Sequence, residues 1–139
     1  METEYMKEAY GLLFEIETGL SQYIEQTMEE TYGIGWQIQA PVTMKYKPYS
    51  KHFTSFYYHE LISMLRAYPC FDELPKDVYL QLLRTIPLRN KIAHCKSISD
   101  PEMTQLQDTY KLAMEYICFT GEVTGYTTGK ESTVSCLHY

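Results

Sequence analysis

Apolar side chains recur every three or four positions along residues 3–30, and glutamates fill most of the positions between them. This period matches one face of an α-helix, so we expect a single long amphipathic helix. Its apolar positions are Tyr5, Leu12, Leu13, Ile16, Leu20, Tyr23, Ile24 and Met28. Such a stripe indicates core packing or contact with a partner helix rather than a cofactor site.

The helical period stops in residues 31–52, TYGIGWQIQAPVTMKYKPYSKH, which contain two glycines and two prolines. We expect a long loop here, with at most a short extended piece. Loops of this length often carry function, and this one holds the chain's single tryptophan, Trp36, and three lysines. Two interpretations stay open: a loop packed on the core by its own aromatic rings, or part of a binding surface.

Beyond this loop the helical pattern returns and is divided by prolines. We expect a second helix over residues 53–68, which Pro69 limits. A third helix is expected to begin at Pro75, and Pro87 should kink or restart it because proline has no backbone N–H to donate.

A helix-start signal follows, in which Ser99 or Asp100 caps and Pro101 occupies the first turn. It predicts a last helix to about residue 119. Residues 121–139 have three glycines, four threonines and no period, which predicts a flexible tail or one ordered only by a partner. The sequence therefore predicts an all-α domain over residues 1–120, a bundle of four or five helices with a long loop after the first.

Composition restricts the class of protein further. The 139 residues suit one domain, and the net charge of −6 argues against a general nucleic-acid coat. The four cysteines have no zinc or redox spacing, and no apolar run is long enough for a membrane span. The acidic start METEYMKEAYG lacks a signal-peptide core. We expect a reduced, cytoplasmic protein without membrane contact.

Acidic residues are unevenly distributed along the chain. Residues 31–59 and residues 78–99 contain none, although they carry three and four bases respectively. If these two segments share a face, an acidic protein would still present a local basic patch able to hold phosphates.

The second of these segments contains the strongest candidate for chemistry, within IPLRNKIAHCKSISDP, residues 86–101. In a helix, Asn90 and His94 lie one turn apart on one face, and Arg89 projects from a neighbouring direction. The bases around this group, which we expect to bind substrate, are Arg84, Lys91 and Lys96.

These residue types match the needs of RNA cleavage without a metal or cofactor. Arginine can bind two phosphate oxygens, and imidazole exchanges protons near neutral pH. The 2′-OH must lose a proton, the phosphorane must be stabilised and the 5′-oxygen must gain a proton. One chain supplies one such histidine, whereas the reaction uses a base and an acid. A ribonuclease of this kind would therefore be a homodimer with a composite site.

The segment RNKIAH, Arg89 through His94, resembles the R-x(4–6)-H motif of the HEPN superfamily (higher eukaryotes and prokaryotes nucleotide-binding domains), including the frequent asparagine after the arginine. The resemblance covers roughly residues 3–119 and implies a small helical bundle. It also implies a metal-independent, dimeric endoribonuclease of toxin–antitoxin, abortive-infection or CRISPR-linked defence. Arg89 would polarise the phosphate, His94 would be the general acid/base and Asn90 would support both.

One toxin branch of that superfamily has a tyrosine two residues after the histidine, where this chain has Lys96. The resemblance is therefore closer to stand-alone abortive-infection members. Besides an RNA-cleaving homodimer with a possible antitoxin or defence partner, two alternatives stay open. One is a non-catalytic HEPN-like module that binds a nucleotide or a protein. The other is a structural adaptor dimerising through its tyrosines, in which Arg89 and His94 merely cap a helix end.

Overall fold

The computed structural model describes residues 2–118, which form six α-helices and contain no β-strand. The helices are α1 Glu2–Tyr32, α2 Trp36–Met44, α3 Tyr58–Ala67, α4 Lys76–Arg84, α5 Ile86–Ala93 and α6 Asp100–Ala113. Short 3₁₀ turns cover Phe53–Ser55 and Pro69–Phe71, and a π-helical turn, Met114–Cys118, continues α6. The all-α prediction is confirmed. The predicted tail, residues 121–139, lies outside the described residues.

Helix α1 forms the spine of the bundle, because its apolar stripe is buried along most of its length. The buried positions are Ala9, Leu13, Ile16, Gly19, Leu20, Ile24 and Met28. Helix α6 runs parallel to α1, since contacts advance along both helices in the same direction. Tyr5 donates to Asp100 at 2.9 Å, Gln107 to Glu8 at 2.9 Å and Tyr110 to Glu15 at 2.8 Å.

Helix α2 corrects the prediction of a long loop over residues 31–52. Trp36 is buried, and its ring centroid lies 5.1 Å from that of Phe53. The helix has no visible amphipathic period because both of its faces are apolar: Ala40 is buried, whereas Ile38 is exposed. Of the two interpretations of this segment, the structure is closer to the one in which its aromatic rings pack it on the core. A helix, α2, takes the place of the expected extended piece.

The prolines divide the later helices much as predicted. The second helix is shorter than expected and begins at Tyr58. Pro87 lies in the first turn of α5, where its missing N–H leaves no bond unmade, so the helix restarts rather than kinks. Ser99 caps α6 in a capping box: its Oγ accepts from the N–H of Glu102 at 3.3 Å, and its own N–H donates to Glu102 Oε1 at 2.8 Å.

The junction between α4 and α5 is fixed by a buried polar contact. The hydroxyl groups of Thr85 and Tyr58 lie 2.9 Å apart, and Thr85 Oγ1 also donates to the carbonyl oxygen of Leu82 at 2.6 Å. Both side chains are buried. This contact joins α3 to the start of α5, the helix that carries the candidate residues.

Candidate functional site

Helix α5 is held in the bundle by two buried side chains, Leu88 and Ile92, which lie one turn apart. It runs antiparallel to α1, because Arg89 contacts Glu17 in the middle of α1, whereas Ile92 and Cys95 lie beside the first third of α1. Of the predicted residues, Arg89, Asn90 and Lys91 therefore occupy the remaining sides of α5, and His94 directly follows its last residue.

Arg89 forms a half-buried ion pair with Glu17. Its Nε donates to Glu17 Oε2 at 3.3 Å, and the two side chains are 31% and 28% exposed. Burial raises the pKa of the Glu17 carboxyl, and the charge and hydrogen bond of Arg89 lower it in part. The predicted phosphate-binding group thus already has an anionic partner within the chain.

The Arg89–Glu17 pair lies in a groove of about 250 Å³ between α1, α5 and the segment before α3. Phe53, Thr54 and Phe56 line its other wall. These three residues belong to the first acid-free segment, and Arg89 belongs to the second, so the two segments do meet at this groove.

His94 and Asn90 lie at the exposed end of α5. The backbone N–H of His94 donates to the carbonyl oxygens of Asn90 and Lys91 at 3.1 and 3.2 Å, which ends the helix. Cys95 then adopts a left-handed backbone conformation with φ 60° and turns the chain away. The side chains of Asn90 and His94 are both exposed to solvent. That the two side chains share one face stays a prediction.

The predicted substrate-binding bases are spread around α5 rather than gathered at one point. Lys91 Nζ contacts Glu102 Oε2 of α6 at 2.7 Å, about 200° around the helix from Arg89. Lys96 is exposed in the loop that follows. Arg84 belongs to α4, and its Nη1 donates to Gln81 Oε1 at 3.4 Å.

Carboxylates from outside the two acid-free segments neutralise part of the expected basic patch. Besides the ion pairs of Arg89 and Lys91, Lys51 in the first acid-free segment contacts Glu60 at 2.8 Å. A segment that contains no acidic residue can therefore still have carboxylates close to its bases in the folded protein. The remaining patch therefore carries less positive charge than the number of lysines and arginines suggests.

A second groove, of about 640 Å³, lies on the other side of α5, beside the first third of α1. Met6, Tyr10, Gly11, Ile92 and Cys95 give it a mostly apolar lining. Tyr10 and Phe14 are exposed on α1 between the two grooves, and their ring centroids lie 6.4 Å apart in a stacked arrangement. We call the surface formed by Tyr10, Phe14 and the two grooves the α1/α5 face.

His59 and Glu60, in the first turn of α3, contact side chains of the segment that precedes this helix. The ring of His59 stacks on that of Tyr57, with 5.9 Å between centroids. Glu60 accepts from the N–H of Tyr57 at 2.7 Å and pairs with Lys51. Burial raises the pKa of Glu60, but these hydrogen bonds outweigh it, so its pKa is lowered overall.

Residues 2–118 contain no group of three or more His, Cys, Asp or Glu side chains placed to hold a metal ion. Among the same residues, no helix combines the length and apolar character that crossing a bilayer requires.

Glu17 is the site residue that sequence reasoning missed. It lies 72 residues before Arg89, and on the amphipathic pattern it is one glutamate among many. Only the packing of α5 across α1 distinguishes it from the other glutamates of that helix.

Comparison with known proteins adds no constraint to this geometry. No family model matches the chain, and no curated protein or solved structure matches it significantly.

Proposed function

We propose that this protein is a homodimeric, metal-independent endoribonuclease of HEPN type that acts in the cytoplasm, in toxin or anti-phage defence. It would cleave RNA by attack of the 2′-oxygen on the neighbouring phosphorus, breaking the bond to the 5′-oxygen and leaving a cyclic phosphate. The observation that carries this proposal is that Asn90 and His94 are both exposed at the end of the same short helix that holds Arg89.

In this mechanism His94 of one protomer removes the proton from the 2′-OH. The second protomer's copy of that histidine donates a proton to the leaving 5′-oxygen. Arg89 stabilises the negative charge that develops on the phosphorane oxygens. Asn90, one turn before His94, orients the imidazole or the ribose.

The composite site needs a dimer surface close to α5, and the α1/α5 face is suited to that role. Exposed aromatic rings are enriched in protein interfaces, and Tyr10 and Phe14 lie beside the two grooves that flank α5. A two-fold axis through this face would bring both copies of α5 to one interface.

RNA binding in this proposal includes an exchange of partners at Arg89. A phosphate group replaces the Glu17 carboxylate on the guanidinium, because arginine binds both anions in the same forked geometry. Burial raises the pKa of Glu17, so the released carboxylate can take up a proton at a smaller free-energy cost than an exposed glutamate would.

A non-catalytic HEPN-like module that binds a nucleotide or a protein is the second candidate. The observation in its favour is that Arg89 and Lys91 are both engaged by carboxylates, Glu17 and Glu102. In this version the two bases hold α5 in place, and His94 only marks the helix end.

Cleavage of labelled single-stranded RNA in EDTA separates the two candidates. We expect the wild-type dimer to cleave, and His94→Ala and Arg89→Lys to lose about 10²–10⁴-fold in rate. Arg89→Lys keeps a positive charge beside Glu17, so its loss reports on the forked geometry rather than on folding. The matched control is His59→Ala, an exposed histidine on α3, which should retain full activity. Absence of cleavage by a dimeric, RNA-binding wild type would favour the non-catalytic module.

A further inference from the structure

Three large apolar side chains lie in a row on the outer surface of α2 and the turn before it. Ile34, Ile38 and Val42 are 90%, 72% and 64% exposed. Ile38 and Val42 lie four residues apart on one side of α2, and Ile34 lies in the turn just before the helix begins at Trp36. Single exposed apolar residues are common, but a contiguous row on one helix face is typical of an interaction surface. We call this row the α2 stripe.

The opposite face of α2 fixes the helix firmly, so the exposure of the α2 stripe is not a sign of a loosely packed segment. Trp36, Ala40 and Pro41 are buried beneath it. The helix ends in a left-handed cap at Lys45, whose N–H donates to the carbonyl oxygen of Val42 at 3.1 Å. The stripe is therefore presented on a rigid element.

The charges around the α2 stripe are arranged in an ordered way. Residues 31–44 contain no charged side chain. Exposed Glu29 and Glu30 precede the stripe, and exposed Lys45 and Lys47 follow it. Within residues 2–118 none of these four forms an ion pair. The surface thus has an acidic end, a neutral apolar middle and a basic end.

We propose that the α2 stripe binds the α2 stripe of a second copy of this chain, with the two helices antiparallel about a two-fold axis at Ile38. A two-fold rotation places the acidic end of each copy on the basic end of the other, so the surface is complementary to itself. A parallel arrangement would place like charges together. An anionic membrane fits less well, because Glu29 and Glu30 lie at one end of the stripe.

This contact is separate from the proposed composite site. Cys95 and Ser97, beside His94, lie near the beginning of α1, whereas α2 follows its last residue, Tyr32. With 31 residues, α1 is about 46 Å long. Pairing through α2 therefore does not bring two copies of His94 together, and it is independent of whether the protein cleaves RNA.

The contact should be weak when it acts alone. A stable interface buries about 800 Å² on each partner, and three aliphatic side chains cover only part of that area. We therefore expect a dissociation constant of about 10–100 µM for this contact.

Disulfide cross-linking of the full chain tests the arrangement directly. In a Cys95→Ser parent, Ile38→Cys should form a cross-linked dimer under mild oxidation at about 200 µM, because residue 38 lies on the proposed axis. The matched variant Val42→Cys should not cross-link to itself, since its two copies would lie about 12 Å apart. Mixing Val42→Cys with Ile34→Cys should restore a cross-link.

Charge exchange provides a second, non-covalent test by sedimentation. Lys45→Glu/Lys47→Glu and Glu29→Lys/Glu30→Lys should each weaken the α2 contact about tenfold or more, and an equimolar mixture should restore it. Two cross-linking results would overturn the proposal: no Ile38→Cys dimer above the parent's background, or equal cross-linking at positions 38 and 42. Binding to phosphatidylcholine vesicles without cross-linking would also overturn it, by assigning the stripe to a lipid surface.

Discussion

Arg89 on α5 and Glu17 on α1 form an ion pair in which Nε and Oε2 lie 3.3 Å apart, half-buried between helices that are distant in sequence. The pair holds the candidate helix against the spine of the bundle. In the proposed ribonuclease it also occupies the guanidinium until RNA arrives.

Glu17→Gln should tighten the binding of RNA by about three- to tenfold, because it removes a negative charge that competes with phosphate for Arg89. The measurement is fluorescence anisotropy with a 2′-O-methyl oligonucleotide, which cannot be cleaved, at one fixed salt concentration. Glu15→Gln is the matched control: it makes the same charge change on α1, but Glu15 contacts Tyr110 of α6. If both variants bind RNA equally, Arg89 does not contact the phosphate.

Arg89→Ala should destabilise the fold, and more so at neutral than at acidic pH. Burial raises the pKa of Glu17 in the folded state. The stability that the protonated Glu17 side chain contributes is therefore full at low pH and is lost as the pH rises through that raised pKa. Without Arg89 this loss is larger. We expect a decrease in the free energy of unfolding of about 1–2 kcal/mol near pH 7.5 and less near pH 4.

Urea unfolding at both pH values checks this prediction. The double variant Arg89→Ala/Glu17→Gln serves as the control, since it has no carboxyl group to titrate at this position. Its loss of stability relative to wild type should depend less on pH. A pH-independent effect of Arg89→Ala would show that Arg89 acts by packing rather than by charge.

Thr85→Val should cost more stability than Tyr58→Phe. Valine leaves the buried hydroxyl of Tyr58 without its partner, whereas after Tyr58→Phe the Thr85 hydroxyl keeps its bond to Leu82. We expect Thr85→Val to lower the free energy of unfolding by about 1–3 kcal/mol and Tyr58→Phe to lower it by about 1 kcal/mol. The free energy of unfolding of the double variant should be close to that of Tyr58→Phe alone. Equal losses in both single variants would mean that the shared hydrogen bond is not what fixes the α4–α5 junction.

Ser99→Ala should lower the free energy of unfolding by about 1 kcal/mol, because it removes the hydrogen-bond acceptor that caps α6. Thr104→Ala, at an exposed position inside the same helix, is the control and should cause no loss, since alanine favours helix interiors. Thermal or urea unfolding measures both. If the two variants behave alike, the capping box does not stabilise the bundle.

The parts of the fold that could be predicted from the sequence are those that depend on a single local rule. The stripe of α1, the stop at Pro69 and the cap at Ser99 each depend on short-range patterns. Helix α2 was missed because its buried face, with Trp36, and its exposed face are both apolar, which removes the period that distinguishes a helix from a loop.

The candidate site was predictable only as a local arrangement. The local helical pattern predicted a short helix here, and Asn90 lies in its last turn with His94 directly after it. The ion pairs of Arg89 and Lys91 were not predictable, because their acidic partners come from α1 and α6. Which carboxylate reaches which base depends on how the helices cross, and no local pattern contains that information.

The parallel packing of α1 and α6 has a consequence for synthesis. Tyr5, Glu8 and Glu15 of α1 contact residues that follow them by 95 to 99 positions. Helix α1 therefore leaves the ribosome well before α6, and part of its apolar stripe stays uncovered until α6 has been translated. Such distant contacts slow folding relative to bundles built from sequence neighbours. During that interval the nascent chain would be a substrate for chaperones, and its folding should be completed late, after α6 emerges.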